Sequence, residues 1–75
     1  MDRLTAFRLF LRTLERGGIA AAGRSLGLSA TAASRALRDL EDDLALRLFD
    51  RTTRHVAPTE AGRRLAARIT PLLEG

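Results

Sequence analysis

The chain has no lysine: all 13 of its basic residues are arginine. That choice fits forked contacts to phosphate and guanine, but a GC-rich coding bias, which also explains the many Ala, Gly and Leu, is the better account of it. Cysteine is absent too, which excludes a disulfide framework and a Cys-based zinc site, and the lone His55 cannot build a metal cage. No apolar run approaches the roughly 20 residues that span a bilayer. The N-terminal "MDRLTAFRLF" also lacks the long uncharged core of a signal peptide. A soluble, cytoplasmic chain with no membrane partner is therefore expected. With one histidine, no thiol and too little mass for a pocket, no nucleophile–base pair is available, so neither enzymatic activity nor a cofactor is expected.

What is present is a single small domain of 75 residues with net charge +4 and a sequence pI of about 11.5, a balance that draws polyanions. A chain this short buries only about 60% of its unfolded surface, so its core is thin and a second copy would help it. Helix signals dominate, and there is no internal repeat or low-complexity tract. Asp2 can cap a first helix whose apolar stripe is Leu4, Phe7, Leu11 and Leu14, widened by Phe10. Gly17 and Gly18 end it. A short second helix fits Ile19 to Leu26, with Ala22 and Leu26 sharing the face of Ile19.

In "LGLS", Gly27 can take the left-handed conformation, Leu28 can plug the core and Ser29 can cap a third helix running from Ala30 to about Leu44. Ala33, Leu37, Leu40 and Leu44 form its buried stripe, leaving Thr31, Ser34, Arg35 and Arg38 on the other side. The segment "LFDRTTRHVAPT" is poor in helix formers and reads as a β-hairpin, with strands Leu48 to Arg51 and His55 to Ala57 and a tip of Thr52, Thr53 and Arg54. Its turn lacks Asn-Gly or Asp-Gly, so the turn type stays open. Thr59 can cap a fourth helix through "EAGRRLAARIT", which Pro71 should kink or end.

A short helix, a glycine turn and a second helix with an uncharged or basic first half make a helix-turn-helix, and the hairpin makes it the winged kind. The start of the third helix offers free backbone N–H groups and a partial positive charge to a phosphate near Ser29. Thr31, Ser34, Arg35 and Arg38 add short hydroxyls and long forks for base edges and backbone. Asp39, Glu41, Asp42 and Asp43 hold the far end of the helix off the phosphates, and Asp39 and Asp42 stand four residues after Arg35 and Arg38, where they can pair with them. Arg51 and Arg54 suit phosphate and minor-groove contact. His55 fits a solvated strand position, and Arg8, Arg12 and Arg16 a solvated helix face.

These segments, above all "ERGGIAAAGRSLGLSATAASRALRDLEDDLALRLFDRTTRHVAPTEAG", make the chain similar over nearly its whole length to the N-terminal DNA-binding domain of LysR-type bacterial transcriptional regulators. The resemblance implies a mainly α, winged helix-turn-helix fold over residues 1–58. It further implies a linker helix starting at 59–75 through which two copies dimerise on an interrupted palindrome in double-stranded promoter DNA. It assigns DNA reading to Ser29, Ala30, Thr31, Ser34 and Arg35, wing contacts to Arg51 and Arg54, beside which Thr52 belongs, and the linker cap to Thr59. A small-molecule inducer would bind only a larger C-terminal domain, so this chain is expected to be a DNA-binding portion cut within the linker helix. The sequence departs from the family where Ala30 and Thr31 replace a common Gln and a Pro or Ser, where Gly18 and Ile19 replace Ser and Phe, and where Ala45 replaces a glycine. In the fourth helix Leu65, Ile69, Leu72 and Leu73 form the expected dimer seam, set against the first helix of the partner. Two rival readings are a helical protein–protein interaction module and a nonspecific architectural DNA binder.

Overall fold

The computed structural model describes residues 2–50 and 56–74. Its elements run α1 (Arg3–Arg16), α2 (Ile19–Ser25), α3 (Ala30–Leu44), β1 (Phe49–Asp50), β2 (Ala57–Pro58) and α4 (Glu60–Glu74). The first three helices pack on one another, α4 packs on α1 and β2, and β1 pairs antiparallel with β2 in the register Phe49 to Pro58 and Asp50 to Ala57.

Leu9, Phe10, Leu37, Leu48 and Phe49 are fully buried and form the centre of the core. The Phe10 and Phe49 rings meet edge to face at 5.4 Å, which ties α1 to the hairpin through a favourable aromatic geometry. The inward face of α1 is Ala6, Leu9, Phe10 and Thr13, not the expected stripe. Leu4 is 46% exposed, while Phe7, Leu11 and Leu14 lie at the core's edge. Size misleads here, because the true face contains a small alanine and a polar threonine. Buried Thr13 is satisfied by donating its hydroxyl back to the Leu9 carbonyl at 2.8 Å.

Local chemistry sets the turns. Asp2 occupies the N-cap of α1 in extended backbone, but its carboxylate makes no cap hydrogen bond. The neighbouring Thr5 hydroxyl nevertheless holds its pKa below the ordinary carboxylate value. Helix α2 stops at Ser25, one residue short of expectation, and Gly27 takes φ 75° as the sequence predicts. The α2–α3 crossing is close at Gly23, where an added Cβ would stand 2.8 Å from the Ala33 methyl.

The strands are shorter and shifted relative to the predicted ones: Leu48 and Val56 lie outside them and Pro58 lies inside. The predicted hairpin tip of Thr52, Thr53 and Arg54, together with Arg51 and His55, lies outside the described residues. Thr59 ties the hairpin to α4. Its backbone N–H donates to the Leu48 carbonyl at 3.0 Å, its hydroxyl donates to the Arg47 carbonyl, and that hydroxyl accepts from the Gly62 N–H at 3.0 Å as a helix cap. Of the kink or end expected at Pro71, the end does not occur, for α4 continues to Glu74. Pro71 has no N–H for the Ala67 carbonyl, and one residue earlier the Thr70 hydroxyl donates to the Ala66 carbonyl at 2.6 Å.

Candidate nucleic-acid interface

The first half of α3 faces outward because its second face is fully used by the core. Ala33, Ala36, Leu37, Leu40 and Glu41 are buried, which leaves Ala30, Thr31, Arg35 and Arg38 on the solvent side. Ser29 caps the helix, its hydroxyl accepting from the Ala32 N–H at 3.1 Å while its carbonyl accepts from Ala33 at 2.9 Å. The first turn carries no acidic residue, so nothing there offsets the positive end of the helix dipole. Ala30, Thr31, Arg35 and Arg38 are exposed and Ser34 is half-buried, and these five share one open groove of about 590 Å3 along the helix with Asp39 and Asp42.

The guanidinium groups on this face are uncommitted. The expected pairs of Arg35 with Asp39 and of Arg38 with Asp42 are not formed; among the described residues the ion pairs are Arg3 with Asp43 at 3.5 Å and Arg64 with Glu60 at 2.9 Å. Both are exposed and contribute little to stability. An arginine preceding its acid by four residues is the weaker order on a helix, and solvation wins here.

One acidic residue does something the sequence reading did not assign to it. Glu41 is buried, and its Oε2 accepts from the backbone N–H groups of Leu48 at 2.7 Å and Phe49 at 3.3 Å. It therefore belongs to the fold and not to the solvated acidic end. The signal was present: Glu41 follows Leu37 by four residues and lies beside Leu40 on the buried side, with half-buried Leu44 at its edge.

Of the other predicted site residues, Arg51, Thr52 and Arg54 lie outside the described residues. In α4, Leu65 and Leu73 are half-buried, Ile69 is buried in the chain's own core at 8% exposure, and Leu72 is 78% exposed. Among the described residues no helix is long and apolar enough to cross a membrane, and no group of three or more His, Cys, Asp or Glu could hold a metal ion.

Three packed helices, the third capped by Ser29 and open to solvent along one side, with a short antiparallel strand pair beside them, define a winged helix-turn-helix DNA-binding domain. The sequence profile described as "Bacterial regulatory helix-turn-helix protein, lysR family" matches residues 4–63. Relatives include the Escherichia coli regulator YcaN, 41% identical over 95% of this chain and 24% of its own length. The Escherichia coli transcriptional activator AaeR is 40% identical over 84% of this chain and 20% of its own. Among solved structures, the DNA-binding domain of BenM in complex with catB site 1 DNA aligns with a TM-score of 0.89 at 27% identity, covering 99% of this chain and 81% of that one. Full-length AphB, the Vibrio cholerae virulence activator, aligns with a TM-score of 0.88 at 33% identity, covering 97% of this chain and 25% of its own. This chain belongs to the LysR family of bacterial regulatory helix-turn-helix proteins. It spans about a quarter of the length of the curated relatives it matches.

Proposed function

We propose that this chain works in the cytoplasm as the sequence-specific DNA-binding part of a transcription regulator, and not as an enzyme. In this reading α3 enters the major groove, the wing bearing Arg51, Thr52 and Arg54 lies on backbone and minor groove, and two copies joined through α4 read an interrupted palindrome. Residues 1–58 form the reading head and 59–75 open the linker helix. A small-molecule inducer would act through a further domain. The observation that carries the reading is the exposed face of α3, where Thr31, Ser34, Arg35 and Arg38 stand together with neither arginine committed to an ion pair.

The test is fluorescence anisotropy on duplexes selected from random DNA, measured across a salt series. Specific binding should fall with a log–log slope of about −0.9 per phosphate neutralised. Arg35→Ala should cost about 1–3 kcal/mol at the selected site and relax base preference, whereas Arg54→Ala should weaken all sequences alike and flatten the slope by about one unit. Affinity that ignores salt would favour a protein–protein module, and equal affinity for selected and random duplex would favour an architectural binder.

A further inference from the structure

The reading face of α3 has a restricted chemical vocabulary, and that restriction constrains the base sequence it can recognise. From Ala30 to Arg38 the helix carries no Asn, Gln, Asp or Glu. An amide is what pairs doubly with the major-groove edge of adenine, and a carboxylate is what accepts from the cytosine amino group. No amide stands on that face, and its carboxylates, Asp39 and Asp42, lie at the far end of the same groove, beyond Arg35. What the face does present is the bare methyl of Ala30 at the first helical position, the methyl that Thr31 carries beside its hydroxyl, and the uncommitted fork of Arg35 just over one turn after Ala30. A methyl in the major groove has one specific partner, the thymine methyl, and an arginine fork has one preferred base, guanine.

We propose that α3 reads each half-site through a thymine methyl packed on Ala30 and a guanine held by Arg35, with Thr31 and Ser34 adding base-tolerant hydroxyl contacts. This rests on the DNA-binding reading above. Ala30 and Arg35 stand five residues, about 7.5 Å of helix rise, apart, so they meet different base pairs of the half-site. The contact at Ala30 recognises a methyl group and not the base that bears it. A cytosine carrying a 5-methyl group presents the same methyl in the same groove, so it should be accepted there better than plain cytosine.

The experiment uses the whole chain and a duplex chosen by selection from random DNA, with anisotropy as readout. At each thymine of the half-site, deoxyuridine replaces thymidine; at the same position, cytosine is compared with 5-methylcytosine. One position should lose about threefold on removal of the thymine methyl and regain a similar factor on methylation of cytosine. At a guanine elsewhere in the half-site, 7-deazaguanine in place of guanine should cost about tenfold, and Arg35→Ala should abolish that sensitivity. Ala30→Gln should turn the methyl-sensitive position into one that prefers adenine, a gain that misfolding cannot produce. If no duplex is preferred over random DNA, the DNA-reading function itself fails. If a preferred site exists but neither methyl matters, or the 7-deazaguanine effect survives Arg35→Ala, the assignment of bases is wrong and the function stands.

Discussion

Glu41 shows how one residue can be misplaced by its neighbours in sequence. It stands among three aspartates that face solvent, yet its carboxylate is turned inward onto the N–H groups of Leu48 and Phe49, where the chain leaves α3 for the hairpin. Removing the acceptor would leave buried donors unpaired, each costing about 1–3 kcal/mol. Glu41→Ala is therefore expected to lower stability by at least that amount, read as a drop in the urea midpoint with unchanged slope; an unchanged midpoint would show that water takes over the carboxylate's role. Ala45 makes the opposite prediction. It closes α3 at φ 55° and ψ 38°, in a left-handed conformation that costs an L-residue about 1–2 kcal/mol. Glycine removes that strain but gives up backbone entropy, so Ala45→Gly should stabilise by about 0.5–1 kcal/mol, seen as a higher Tm. A lower Tm would mean that the Ala45 methyl makes contacts worth more than the strain.

At the scale of elements, what was legible in the sequence is what local chemistry decides. The α3 span, the Ser29 cap, the left-handed Gly27 and the Thr59 cap each depend on a few adjacent residues, and each is found where the pattern puts it. The Thr31, Ser34, Arg35 and Arg38 side of α3 was legible for the same reason, being the complement of a clean buried stripe. The face of α1 was not, because Ala6 and Thr13 become core only when the other helices close over them. The strand limits and the passage of α4 through Pro71 also depend on packing between elements. Gly62 belongs with these. Its lack of a side chain lets the first turn of α4 lie against the Leu48 backbone, where an added Cβ would come within 2.3 Å of the Leu48 carbonyl oxygen. That oxygen is the acceptor for the Thr59 N–H, so it is not free to give way. Gly62→Ala should cost about 1–3 kcal/mol despite alanine's better helix propensity. For a domain of this size, each kcal/mol lowers Tm by roughly 4–8 °C. A gain in Tm would show that α4 can shift as a unit.

For the whole molecule the question is which apolar groups belong to one chain and which to a pair. Ile69 and Leu72 are three residues apart on α4, but Ile69 packs inside its own core and Leu72 is 78% exposed. The two should therefore respond differently to substitution. Ile69→Ala removes buried volume from a thin core and is expected to destabilise the monomer by about 2–4 kcal/mol at every concentration. Leu72→Asp leaves that core intact, so at dilution its Tm should match the parent chain. If α4 is the dimer seam, the same change should shift sedimentation equilibrium toward monomer and leave binding to an isolated half-site intact. Binding to the full palindrome should then lose the avidity of two linked heads, which commonly exceeds a hundredfold. Should Leu72→Asp remain dimeric and keep full affinity for the palindrome, the two copies are held together elsewhere, and the half-buried Leu65 and Leu73 become the residues to substitute next.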